Sequence, residues 1–181
     1  MYLTPARRIV RHFVAPLALA LVLCTTLLAL AHAHTASAST LATGTTRSLN
    51  SAENSLLNQI NAARRAAGFT AVTLDNRLID LARDRSSDMA NRHYFDHYSP
   101  EGRTFLDTMR QQAIPFRMAG EIIAQNNYAA AQSSDQAFHA YMGSSEHKRI
   151  LLMGNWRTAG VGQAVDGAGM YYYTVLFAQP R

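Results

Sequence analysis

The sequence holds a single cysteine, Cys24, and it lies inside an apolar N-terminal run. Beyond it there is no thiol, so no disulfide can staple the rest of the chain and packing alone must hold the fold. An excess of one charge is missing as well. Three of the seventeen Lys and Arg (Arg7, Arg8 and Arg11) fall in the N-terminal region, and none of the twelve Asp and Glu does. The remainder carries fourteen basic against twelve acidic residues, a balance of +2. The arginines are scattered rather than striped, which gives no footprint for nucleic acid. There is no internal repeat and no His-Glu-x-x-His helix. Ser99 follows no nucleophile-elbow pattern and has no base beside it in sequence.

What is present begins at the N-terminus. The three arginines precede an apolar run from Phe13 to about Ala31, and Ala31-His32-Ala33 follows as a small-x-small exit. A basic start, an apolar middle and a small-residue exit make a secretory signal. Residues 1–33 are expected to be removed after Ala33, with Ala36-Ser37-Ala38 as a second cleavage site, leaving a secreted or periplasmic protein with no stable membrane insertion. The run approaches the roughly 18 residues of a membrane span, so an uncleaved anchor is the alternative. Arg7-Arg8 is only a bare arginine pair, weak as a twin-arginine signal. Cys24 follows a large Leu23 and precedes more apolar sequence, unlike a lipid-attachment site, and is expected to leave with the signal. Residues 34–50 are small and polar and read as a flexible linker. Residues 51–181 are of single-domain size, enough for a core.

Periodicity places a first helix from about Ala52 to Ala67, with Leu56, Ile60 and Ala63 on one face and Gly68 as its stop. Val72 to Leu74 is a short extended link. Asp75 caps a second helix to about Asn91, with Leu78, Leu81, Ala82 and Met89 inward. Residues 93–104 form a loop, and Thr104 with Asp107 opens a short helix to about Gln112. A fourth helix is expected near Ser133 or Ser134, with Gln136 completing a capping box, and a fifth near Glu146 to Met153. Thr158–Val165, the turn Asp166-Gly167-Ala168-Gly169 and the alternating Met170–Phe177 read as a β-hairpin, with Tyr171, Tyr173, Val175 and Phe177 on one face. Helices first and a closing hairpin indicate α+β.

Chemistry concentrates in three segments. His97 sits in His97-Tyr98-Ser99-Pro100-Glu101-Gly102-Arg103, His147 in Ser144-Ser145-Glu146-His147-Lys148-Arg149, and Glu121 in Gly120-Glu121-Ile122-Ile123-Ala124. A carboxylate in so apolar a setting is expected to be buried and to need a partner. Two imidazoles can supply one, and with the carboxylate they also form a donor set suited to Zn2+. His93 and His139 read as ordinary surface or packing residues, and Arg103 as a holder of the loop.

These segments, together with Ala82-Arg83-Asp84-Arg85-Ser86-Ser87-Asp88-Met89-Ala90, Tyr141-Met142-Gly143 and Gly160-Val161-Gly162, resemble a bacterial CAP-superfamily domain over about Ser55 to Phe177. That is the superfamily of cysteine-rich secretory and plant pathogenesis-related proteins. The resemblance implies a three-layer α-β-α sandwich with a central antiparallel sheet and a cleft lined by His97, Glu121 and His147. Ser144 falls where eukaryotic members carry a second Glu, and Glu146 is a nearby substitute. Ile122 stands in place of the usual Asn, and Tyr141 in place of the usual Trp.

Three functional expectations follow. The first is a non-enzymatic extracytoplasmic binding domain for a lipid, a cell-envelope polymer or a host molecule. The second is a metal-dependent hydrolase or peptidase, with His97 and His147 holding Zn2+ and Glu121 as ligand or general base. In the third the cluster only stabilises the fold.

Overall fold

The structure, a computed structural model, describes residues 47–181; the expected signal at 1–33 lies outside the described residues. Asn50 opens the first helix, α1 (Ser51–Ala66): its side chain accepts from the Glu53 amide, and the Glu53 carboxylate accepts from the Asn50 amide. Gly68, at φ +81°, then turns the chain away, as its place after the last apolar position indicated. After the two-residue strand β1 (Thr73–Leu74), Asp75 caps α2 (Asn76–Arg92) through the Arg77 amide. Asp107 accepts from the Thr104 amide and hydroxyl at the start of α3 (Phe105–Gln111).

The remaining elements are β2 (Met118–Asn126), α4 (Ala130–Gly143), α5 (Ser145–Leu151), β3 (Thr158–Val165) and β4 (Tyr171–Gln179). Two of them differ from the sequence expectation. Helix α4 begins about a turn earlier than expected, so Ser133 and Ser134 are buried inside it. Ser133 does not cap; its hydroxyl accepts from Tyr173 Oη at 2.8 Å. The segment around Glu121, not read as a strand, is the nine-residue β2.

The sheet order is β1-β3-β4-β2, with β1 parallel to β3 and the other pairs antiparallel. On one face α2 and α3 pack Leu78, Leu81, Ala82, Phe105 and Met109 against Leu176 and Ala178. On the other, α1, α4 and α5 cover Ile122, Val161, Tyr173, Val175 and Phe177, with Trp156 stacked on Phe177. This is the expected three-layer α-β-α sandwich. Strand β4 is buried on both faces, so Tyr172, on the face opposite Tyr171 and Tyr173, is core as well. The two glycines of Gly160-Val161-Gly162 let α2 lie directly on β3. A Cβ at Gly160 would stand 2.1 Å from the Leu78 carbonyl carbon, and one at Gly162 2.2 Å from that of Ala82.

Candidate functional site

The apolar stripe of α2 is interrupted by one charged residue. Leu78, Leu81, Ala82 and Met89 face the sheet, and Arg85 stands in the same stripe at helical spacing. Its guanidinium is buried and needs partners on every edge. Nε donates to Glu121 Oε1 at 3.1 Å, one terminal nitrogen to Tyr94 Oη at 2.8 Å, and the other to the Asp96 carbonyl at 2.9 Å. Tyr94 Oη donates onward to Asp88. One arginine thus joins helix, sheet edge and loop.

The loop 93–104 begins where His93 ends α2 in a left-handed conformation, φ 55°. Its tip is closed by the Ser99 amide donating to the Arg103 carbonyl at 2.8 Å and the Gly102 amide donating to the Ser99 carbonyl at 2.7 Å. The Arg103 backbone therefore shapes the turn, while its side chain makes no hydrogen bond among the described residues. Arg92 grips Glu101 from the helix, and with Ser99 holds that carboxyl down to about 2. These contacts present His97, whose side chain is 48% exposed, to Glu121, which is 4% exposed. His97 Nδ1 lies 2.7 Å from Glu121 Oε2.

His97 titrates above the ordinary histidine value, chiefly because the Glu121 hydrogen bond favours the imidazolium; partial burial opposes this. His147, in the first turn of α5, is shifted the other way, by burial first and then by the charge of His97. The two imidazoles therefore share one electrostatic environment. The ring of Tyr141 meets His147 edge-on at 5.7 Å, and its hydroxyl donates to the Tyr173 carbonyl at 3.3 Å. Burial, then the Glu121 charge, pushes the Tyr141 phenol well up.

Ser144 is the N-cap of α5: its hydroxyl accepts from the His147 amide at 3.3 Å, which ties it to the turn that carries His147. Glu146 is exposed on the same turn and adds only a mild upward pull on His147. Ile122 points to the opposite face of β2 and is fully buried. His93 is exposed, with Nδ1 3.8 Å from Asp166, and His139 is exposed beside Phe138. Arg85, Tyr94, Asp88, Arg92 and Glu101, which hold the site together, were not singled out from sequence. The available signal was Arg85 in an otherwise apolar helical stripe.

Both Glu121 oxygens are engaged, so the open groups are His97 Nε2 and the His147 ring. No set of three or more His, Cys, Asp and Glu able to hold a metal occurs among the described residues. Two imidazoles are suitable donors for Zn2+, and a carboxylate on Nδ1 is the usual way a ligating imidazole is oriented. A divalent metal here would have His97 and His147 as its imidazole donors, with Glu121 on His97 Nδ1 rather than on the metal.

The class defined by the fold and the site is an α-β-α sandwich with a His/Glu pair at the edge of its sheet. The chain belongs to the CAP family, the cysteine-rich secretory protein family, which it matches over residues 57–177. It is 32% identical over 121 residues to the uncharacterized protein YkwD of Bacillus subtilis (strain 168), covering 67% of this chain and 46% of that relative. It therefore spans about half the length of that protein. Among solved structures it resembles an extracellular protein containing an SCP domain from Bacillus anthracis str. Ames, at TM-score 0.62 and 25% identity over 71% of this chain and 40% of that one. An outer surface protein of Borrelia burgdorferi shares the fold at TM-score 0.66 and 17% identity, over 76% and 99% of the two chains. Among the described residues no helix is long and apolar enough to cross a membrane.

Proposed function

We propose that this is an exported, non-enzymatic binding domain whose partner, a lipid, a cell-envelope polymer or a host molecule, is taken at the His97–His147 cleft. Export rests on the basic, apolar and small-residue pattern of residues 1–33, and the extracellular setting of similar proteins supports it. One observation carries the binding reading: Glu121 is tied through one oxygen to Arg85 and through the other to His97 Nδ1, which makes it a support that orients the imidazole. Phe95 and Tyr98 flank His97 and are exposed, which gives the cleft an apolar and stacking rim. The test is co-sedimentation of the purified protein with lipid vesicles and with isolated envelope polymer. Capture by either that is lost in a His97→Ala/His147→Ala variant supports the reading. Capture unaffected by the double substitution removes the cleft from it.

A metal-dependent hydrolase is the second reading, favoured by Glu121 at Nδ1, which leaves His97 Nε2 turned to the open side. Bound Zn2+ would supply Lewis acidity and an acidified water. Calorimetric titration with Zn2+ decides it. Near-stoichiometric uptake abolished by the double variant, together with peptide cleavage lost in Glu121→Gln, would establish it. No uptake by the folded wild type would remove it.

A further inference from the structure

A cleft lies between α2, Arg85 included, and the loop that carries Ser99, Glu101, Arg103 and Thr104, and Thr108 of α3 also lines it. Its volume is about 260 Å3. That is below the range of pockets for drug-sized ligands and suits a molecule of a few heavy atoms. Leu81 lines part of it, and the remainder is polar.

The charges of this cleft do not cancel one another in place. Three carboxylates and three guanidinium groups line it. Arg92 is held by Glu101 and Asp88, and Arg85 by Glu121, Tyr94 and the Asp96 carbonyl. Two groups of opposite sign are left over. Asp84, on the α2 wall, and the Arg103 side chain, on the loop wall, have no hydrogen-bond or ion-pair partner among the described residues. The Asp84 carboxyl is pushed up by partial burial and by Asp80, so it gains from a cation. The Thr108 hydroxyl is also uncommitted.

We propose that this cleft is a separate binding site for a small zwitterion, an amino acid or dipeptide whose ammonium meets Asp84 and whose carboxylate meets Arg103. A simple anion entering it meets Asp84, Asp88 and Glu101 as well as Arg103. A simple cation leaves Arg103 unanswered. A ligand with both charges, spaced to reach both walls, satisfies the two free groups together. Neither His97 nor His147 lines this cleft.

The experiment is a titration of the isotope-labelled protein with alanine and with L-alanyl-L-alanine, followed by amide and side-chain NMR shifts. N-acetylalanine amide, which has neither charge, is the control. Saturable shifts at Asp84, Arg103 and Thr108 are expected with the zwitterions and not with the control. Asp84→Asn and Arg103→Gln are each expected to weaken binding about tenfold, the scale of one charged hydrogen bond. Both residues are exposed, so the variants keep the wild-type spectrum elsewhere. Absence of saturable shifts with both zwitterions overturns the proposal. So does binding that neither substitution weakens.

Discussion

Two buried carboxylates, each gripped by an arginine of α2, have opposite fates. Glu53, on α1, receives four donors: two from Arg83, at 2.8 and 2.6 Å, and the amides of Asn50 and Gln163. Every lone-pair direction is filled, and no titratable ring takes part. Glu121, on β2, receives only Arg85 and the half-exposed His97. Its second oxygen depends on a ring that also faces solvent. The chemical parts are the same and the arginines are two residues apart. The difference is that one network closes on backbone amides and the other on a titratable, accessible side chain. A buried ion pair alone does not mark a functional site.

The comparison can be broken by removing each arginine. Arg85→Ala leaves Glu121 with one imidazole and is expected to destabilise by about 3–5 kcal/mol, the scale for an orphaned buried charge. Arg83→Ala leaves Glu53 with two amide donors and should lose about 1.5–3 kcal/mol. Urea denaturation of the two variants measures both, and equal losses would erase the distinction.

A smaller effect should appear in pH dependence. His97 is raised in the folded state, so its stabilisation is present below the unfolded value and is lost as pH rises through the folded one. His147 is lowered, so the unfolded chain takes its proton first and stability falls as pH drops through the unfolded value. Together they place a maximum near the ordinary histidine value. In thermal scans across pH, His97→Ala should flatten the alkaline limb and His147→Ala the acid one. Histidine NMR sharpens the point: Glu121→Gln should bring the His97 midpoint down, and Glu53→Gln should leave it where it is. Smallest of all, His147→Ala should change stability at constant pH by about 1 kcal/mol or less, since its ring is only part-buried.

Much of this was legible beforehand because local chemistry and tertiary placement agree. Asp75, Gly68 and the Thr104–Asp107 pair do at the helix ends what their residue types favour. Where a residue serves a distant partner, the local signal misleads. Ser133 looks like a cap and is instead the acceptor for Tyr173, forty positions away. Strand β2 shows no alternation because Glu121, Ile122, Ile123 and Ala124 are all buried, each face against its own helical layer. His97, Glu121 and His147 were nameable from their segments and from family resemblance. Arg85 was not, because an arginine on a helix ordinarily reads as solvated surface, and only its phase with Leu78, Leu81, Ala82 and Met89 says otherwise.

The backbone contact at Gly160 and Gly162 sets how this domain can move. At these two positions helix α2 meets β3 backbone to backbone, so sliding the helix would drive its Leu78 and Ala82 carbonyls against the strand. Arg85 and Arg83 therefore ride on a fixed rail. Any change in how His97 meets Glu121 would then fall to the loop 93–104 rather than to the helix beneath it.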